Sequence, residues 1–248
     1  MKLSITTKKL KELIAPIYMV ADECVLNVNE SGISAKVVDH GNIEMIKVEY
    51  PAEMFEVFEV ENPTKIGLEI ALLNRKIRFN EPKAIIEMTT SNTSSPIGIE
   101  STMLLDCDGF QDKLCLIDPQ SIRKEPKIPE MNLTGKMTIP RTRMIKILNK
   151  SNYSKGKKEC TYIIFEIKDG KFITETTELH PTKSITELPS ITGEAKSLYA
   201  ADNLLELCKS IKSKTIDIEL GKDYPIIIKF DVAETGKAEF LLAPRVES

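Results

Sequence analysis

Lys136-Met137-Thr138-Ile139-Pro140, running into Arg141-Thr142-Arg143-Met144-Ile145-Lys146, restates the way the chain opens: Lys2-Leu3-Ser4-Ile5-Thr6 running into Thr7-Lys8-Lys9-Leu10-Lys11. Each stretch reads as a short strand followed by a small basic helix. A strand-like stretch comes next in both places, Glu23-Cys24-Val25-Leu26 and Glu159-Cys160-Thr161-Tyr162, and a second small basic helix comes later. Repetition at this length implies two tandem copies of one domain, because solenoid units recur every ~20 to 50 residues. The copies are expected at 1–117 and 133–248, with a connector over 118–132.

Outward from the first opening, Leu10, Leu13, Ile14 and Ile17 fall at i, i+3, i+4 and i+7 of a helix expected over 8–20, with Lys8, Lys9 and Lys11 off that stripe. Pro16 is expected to kink or end it early. Strands are expected at 24–28, 33–38 and 43–48, separated by Asn29-Glu30-Ser31-Gly32 and Asp39-His40-Gly41-Asn42. Further strands follow at 65–70, 84–89, 97–104 and 113–117, with a short helix over 71–79. From Asp118 to Pro129 the pattern stops, and prolines without glycine predict an extended, stiff connector. The second copy predicts helices over 141–150 and 202–211 and strands at 162–167, 171–176, 183–188, 195–199, 215–220, 225–232 and 238–242, with Asp169-Gly170 as a hairpin turn. The sum is α+β, strand-rich with two short helices per copy.

Composition narrows the function classes. The 34 Lys and Arg against 37 Asp and Glu give a net charge of -3, so any nucleic acid is met by one surface and not by the whole molecule. Cys24, Cys107, Cys115, Cys160 and Cys208 are odd in number and form no CxxC pair, which argues against a disulfide framework or a zinc site and for a reducing setting. Neither secretion nor membrane insertion is expected, since no apolar run approaches the ~20 residues a span requires.

Enzyme chemistry is not written in a recognisable form. The two histidines, His40 and His180, sit in turn-like settings apart from any ligand cluster, and no phosphate-binding loop, nucleophile elbow or zinc motif occurs. Asp106 and Asp108 read as an acidic turn before they read as a metal pair. No cofactor and no metal is implied. Cations, by contrast, recur on all four helices: Lys8, Lys9 and Lys11; Arg75, Lys76 and Arg78; Arg141, Arg143, Lys146 and Lys150; Lys209 and Lys212. Arg143, Lys146 and Lys150 share one helical face at i, i+3 and i+7. Lysines also serve to solvate an amphipathic helix, but recurrence at equivalent positions in both copies favours a shared purpose.

With the order of elements and the proline-bearing connector in view, the ending Phe240-Leu241-Leu242-Ala243-Pro244-Arg245-Val246-Glu247 resembles the sliding clamps of the proliferating cell nuclear antigen (PCNA) family, in the archaeal style of tail. Leu116-Ile117-Asp118, Ile128-Pro129-Glu130, Ile66-Gly67-Leu68 and Val38-Asp39 with Ile43 support it, and the resemblance runs along the whole chain. The connector departs from the family in its spacing and its extra prolines.

The resemblance implies a non-enzymatic ring of three chains around duplex DNA, with helices lining the hole and sheets outside. It implies a processivity factor that tethers DNA polymerase, a clamp loader, flap endonuclease, DNA ligase and other replication and repair enzymes through short hydrophobic motifs. The twelve helix cations would face the DNA. A partner-peptide pocket would be formed by Val38, Ile43, Met45, Ile128, Pro129, Pro225, Leu241, Ala243 and Pro244. Subunits would meet through Phe110, Lys113, Cys115 and Ile117 on one strand and Lys183, Ile185 and Glu187 on another. The setting would be the cytoplasm of an archaeal cell, or the nucleus for a eukaryotic source. Two alternatives stay open: one subunit of a heterotrimeric clamp, or an enzyme with an unrecognised site.

Overall fold

Alternation of apolar and polar residues in Lys2–Thr6 buries Leu3 and Ile5 completely and starts the first of two units. The computed structural model describes residues 1–95, 98–124, 128, 130–154, 157–158, 162–177 and 182–245. The first unit comprises Met1–His40, Ile46–Glu125 and Val232–Ala238; the second comprises Gly41–Met45, Pro126–Asp231 and Glu239–Ser248.

In the first unit, β1 (Lys2–Thr6) leads into α1 (Thr7–Val20), then β2 (Glu23–Asn29), β3 (Gly32–Val38), β4 (Glu44–Pro51), β5 (Val57–Glu59) and β6 (Thr64–Glu69). Helix α2 (Ile70–Ile77), β7 (Ile85–Ser95), β8 (Gly98–Cys107) and β9 (Phe110–Cys115) complete it. One sheet has the order β5-β1-β7-β8-β9, and a second run has the order β4-β3-β2-β6. The Thr6 side chain caps α1 by accepting from the Lys9 amide. Contrary to the sequence expectation, Pro16 does not end α1. The apolar stripe continues past it as buried Ile17 and Val20, and that packing holds the helix together where proline removes one internal hydrogen bond.

The second unit repeats the plan. It contains β10 (Gly135–Pro140), α3 (Arg141–Asn152), the short pair β11 (Tyr153–Ser154) and β12 (Lys157–Lys158), β13 (Tyr162–Lys168), β14 (Lys171–Thr176) and β15 (Lys183–Thr186). Then come β16 (Ile191–Thr192), β17 (Ala195–Ala200), α4 (Ala201–Ser210), β18 (Thr215–Leu220), β19 (Ile226–Val232) and β20 (Gly236–Leu242), of which Val232 and Gly236–Ala238 count with the first unit. Its strand orders β16-β10-β18-β19-β20 and β15-β14-β13-β17 match those of the first unit element for element. The predicted turn at Asp169-Gly170 is formed, with φ of 51° and 68° at the two residues as a tight hairpin requires. Of the residues expected in strands or turns, Ile97, Glu159, Cys160, Thr161 and His180 lie outside the described residues.

A second shared device escaped the sequence. After β9 the chain returns so that the Ile117 amide donates to the Gly67 carbonyl on β6 at 2.9 Å; after β20 the Arg245 amide donates to the Leu198 carbonyl on β17 at 2.8 Å. The first return requires glycine, since a Cβ at position 67 would stand 2.2 Å from the Ile117 oxygen. The connector then departs from the extended path expected of it: Asp118 folds residues 118–121 into a turn, its carboxylate accepting from the Gln120 amide at 2.9 Å and its carbonyl from the Ser121 amide at 2.9 Å.

Candidate functional site

The helix cations divide by what holds them. Lys11 donates to the carbonyls of Arg78 and Asn80 at 2.9 and 3.2 Å, at the end of α2. Arg141 does the same for α4, donating to the carbonyls of Cys208 and Ser213 at 2.8 and 3.0 Å. In each unit one cation from the first helix thus satisfies carbonyls that the second helix leaves open at its C-terminus. Lys9 reaches the Met54 carbonyl and Glu56, Lys76 pairs with Asp112 on β9, and Arg78 stacks on the ring of Phe79 at 4.7 Å.

The rest are exposed, and their side chains make no hydrogen bond or ion pair among the described residues: Lys8, Arg75, Arg143, Lys146, Lys150, Lys209 and Lys212. On α3 the division is clean. Met144, Ile147 and Leu148 are buried, while Arg143, Lys146 and Lys150 stand on the open side. Lys212 lies two residues beyond the end of α4 instead of on it, because the helix stops at Ser210. Exposed cations spaced along helices, with no ion-pair partner among the described residues, suit a regular array of phosphates.

Among the described residues β9 pairs only with β8 and β15 only with β14, so each leaves one edge open, as the shorter β5 and β16 also do at the ends of their sheets. Phe110 on β9 is 81% exposed and Ile185 on β15 is 60% exposed, unusual values for such side chains. Lys113, Cys115 and Lys183 share these edges and are exposed. Ile117 and Glu187 do not: β9 ends at Cys115 and β15 at Thr186, and Ile117 is committed to Gly67.

Of the expected pocket, Ile43, Met45, Ile128, Pro225, Leu241, Ala243 and Pro244 belong to the second unit, and Val38 to the first. The Ala243 amide donates to the Ile43 carbonyl at 2.8 Å, which sets the segment before β4 beside the end of β20. Ile128 is 38% exposed, and Ile43, Pro225, Ala243 and Pro244 are half-buried. Leu241 and Met45 are buried, at 5% and 6% exposed. Pro129 lies outside the described residues.

Among the described residues no group of three or more His, Cys, Asp or Glu side chains is placed to hold a metal ion. Burial pushes the thiols of Cys24 and Cys208 up to about 12, suppressing the reactive thiolate. The Asp106 carboxylate is used by its own hairpin, accepting from the Gly109 amide and the Gln111 side chain.

The model of the PCNA N-terminal domain matches residues 3–120. The DNA polymerase sliding clamp of Archaeoglobus fulgidus is 30% identical over 252 residues, covering 98% of this chain and 97% of that protein. This chain belongs to the PCNA family of DNA polymerase sliding clamps. The clamp of Methanothrix thermoacetophila is 29% identical and covers 100% and 99% of the two chains. Among solved structures, A. fulgidus PCNA with the C-terminal region of FEN-1 bound to it superposes with a TM-score of 0.87 at 28% identity, covering 100% of this clamp and 99% of that chain. Thermococcus kodakaraensis PCNA superposes at 0.84 and 20% identity over 98% and 99%, a likeness of fold.

Sequence reasoning missed four cations that gather in the first unit, Lys36, Lys65, Arg123 and Lys124. The only signal for them was strand alternation, which places Lys36 between buried Ala35 and Val37.

Proposed function

We propose that this sliding clamp works as a closed ring of three identical chains, β9 of each subunit pairing with β15 of the next, around duplex DNA that it does not read by sequence. The observation that carries this reading is the pair of open edges, each bearing an exposed large apolar residue. A lone chain leaves both unsatisfied, whereas a head-to-tail contact that closes on itself covers all of them. Arg143, Lys146, Lys150 and their counterparts in the other helices then track phosphates through weak, exchangeable contacts while topology prevents escape. The clamp carries no catalytic chemistry of its own. It docks DNA polymerase, the clamp loader, flap endonuclease and DNA ligase through short hydrophobic motifs at the pocket of Ile43, Ile128, Pro225, Ala243 and Pro244, over a floor of Met45 and Leu241. The A. fulgidus relative, bound by the FEN-1 C-terminal region, supports the flap-endonuclease part. Its place is the archaeal cytoplasm, or the nucleus should the source be eukaryotic. Light scattering of the pure protein tests the ring: three times the 27.9 kDa of one chain is expected. A stable monomer at micromolar concentration would favour a heteromeric clamp instead.

A further inference from the structure

In β2, Leu26 and Val28 face the core of the first unit together with residues of α1, so Val25 and Asn27 face the other way. Lys36 and Val38 on β3, and Lys65 and Gly67 on β6, alternate with core residues toward that same second face; Val25 is opposite Gly67 and Asn27 opposite Lys65. The first half of the connector is fastened over it. Ile122 is 7% exposed and its Cδ1 lies 3.0 Å from where a Cβ of Gly67 would stand. Arg123 donates to the carbonyls of Asp39 and His40 at 3.3 and 2.7 Å. Between connector and strands remains a groove of about 590 Å³.

Its lining is amphipathic and unevenly charged. Val25 and the small accessible parts of Val38 and Ile122 provide apolar surface, Lys36, Lys65, Arg123 and Lys124 provide cations, and among the described residues of the lining only Asp22 and Glu23 oppose them. The side chains of Lys36, Lys65 and Lys124 make no hydrogen bond or ion pair among the described residues. In a chain whose net charge is -3, such a local excess of cations is selective for anionic partners.

We propose that this groove docks an acidic, extended peptide segment of a partner protein, in which glutamate or aspartate alternates with aliphatic residues. Alternation in an extended segment turns one set of side chains onto Val25, Val38 and Ile122 and offers the other to the lysines. From Glu23 to Asn27 the floor runs ~13 Å, room for about four extended residues. The proposal deepens the clamp reading, in that such a segment would flank a partner's hydrophobic motif and select among partners by charge. Nucleic acid fits less well, since Asp22 and Glu23 close one end and the floor between is apolar.

The test is fluorescence anisotropy on the full chain with a labelled 12-residue peptide of alternating glutamate and valine, beside versions with serine or lysine in place of glutamate. Wild type is expected to prefer the glutamate peptide over the serine one by about tenfold. Lys36→Glu with Lys65→Glu is expected to abolish that preference and to gain binding of the lysine peptide. Equal affinity for glutamate and serine peptides overturns the proposal. So does loss of glutamate-peptide binding in Arg143→Glu with Lys146→Glu but not in the groove variant, which would mean the peptide is mimicking DNA at the helices. A single-stranded oligonucleotide that binds the groove when the glutamate peptide does not overturns it as well. A hydrophobic-motif peptide without acids, titrated in parallel against Ile128→Ala, reports separately on the docking pocket, so failure of that reading leaves this result decisive.

Discussion

Phe110→Ala puts the proposed ring under the most direct strain. Phe110 opens β9 with 81% of its surface exposed in the single chain, so the isolated subunit gains almost nothing from the aromatic side chain. Burying such a side chain fully contributes ~1.5–3 kcal/mol, and covering the exposed four-fifths of it in a β9–β15 contact therefore contributes ~2 kcal/mol per interface. That converts to an interface weakened about thirtyfold by truncation. Closing a ring uses the interface three times, so the penalty on assembly from monomers is ~6 kcal/mol. Ile185→Ala, removing a side chain 60% exposed on the other edge, is expected to act in the same direction and less strongly. The measurement is a dilution series followed by light scattering and sedimentation, which locates the concentration at which trimer gives way to monomer. A melting curve taken below that concentration should match wild type within ~0.5 kcal/mol, as surface substitutions do. A dissociation midpoint equal to that of wild type would refute the reasoning, since it would leave 81% exposure of a phenylalanine on an unpaired edge without a purpose. A lowered melting temperature in the monomer would refute it differently, by showing that Phe110 stabilises its own unit.

Four further outcomes are expected. Arg143→Glu with Lys146→Glu should keep the oligomeric mass, impair loading and sliding, and flatten the salt dependence of DNA binding by roughly 0.9 log unit for each phosphate no longer neutralised; an unchanged slope would remove these residues from the DNA-facing surface. Ile128→Ala, at a site 38% exposed, should weaken a hydrophobic-motif peptide about fivefold or more without altering stability. Leu241→Ala, at 5% exposed, should lower stability by ~2–5 kcal/mol as well, and a urea midpoint equal to that of wild type would contradict its placement in the floor. Alkaline unfolding should show the two buried thiols. With folded values near 12 against 9.0 for an ordinary thiol, Cys24 and Cys208 hold their protons when folded and lose them when unfolded. Stability is therefore full below pH 9 and falls as pH rises toward 12, by up to ~1.4 kcal/mol per pH unit for each group. Cys24→Ala and Cys208→Ala should each flatten that fall, and slopes equal to that of wild type in urea titrations from about pH 8 to 11 would count against the assignment.

How much of this is legible in the sequence depends on the range over which each feature is encoded. The tandem copies, the four helices and most strands follow from local periodicity, and the matching strand orders bear that reading out. Pro16 misleads because its local cost is visible in sequence while the packing of Ile17 and Val20 that offsets it is not. The same limit explains the cations. Spacing alone puts Lys11 and Arg141 with the others, yet each is committed to carbonyls more than sixty positions away, at the end of the neighbouring helix in its own unit. That commitment is itself repeated, as are the returns of Ile117 to Gly67 and Arg245 to Leu198, so the repeat is deeper in hydrogen bonding than in residue identity. A backbone amide can close a sheet edge whatever its side chain, which is why neither return leaves a motif to find. Glycine at 67 is the exception, because there the carbonyl of the returning Ile117 approaches too near for any Cβ.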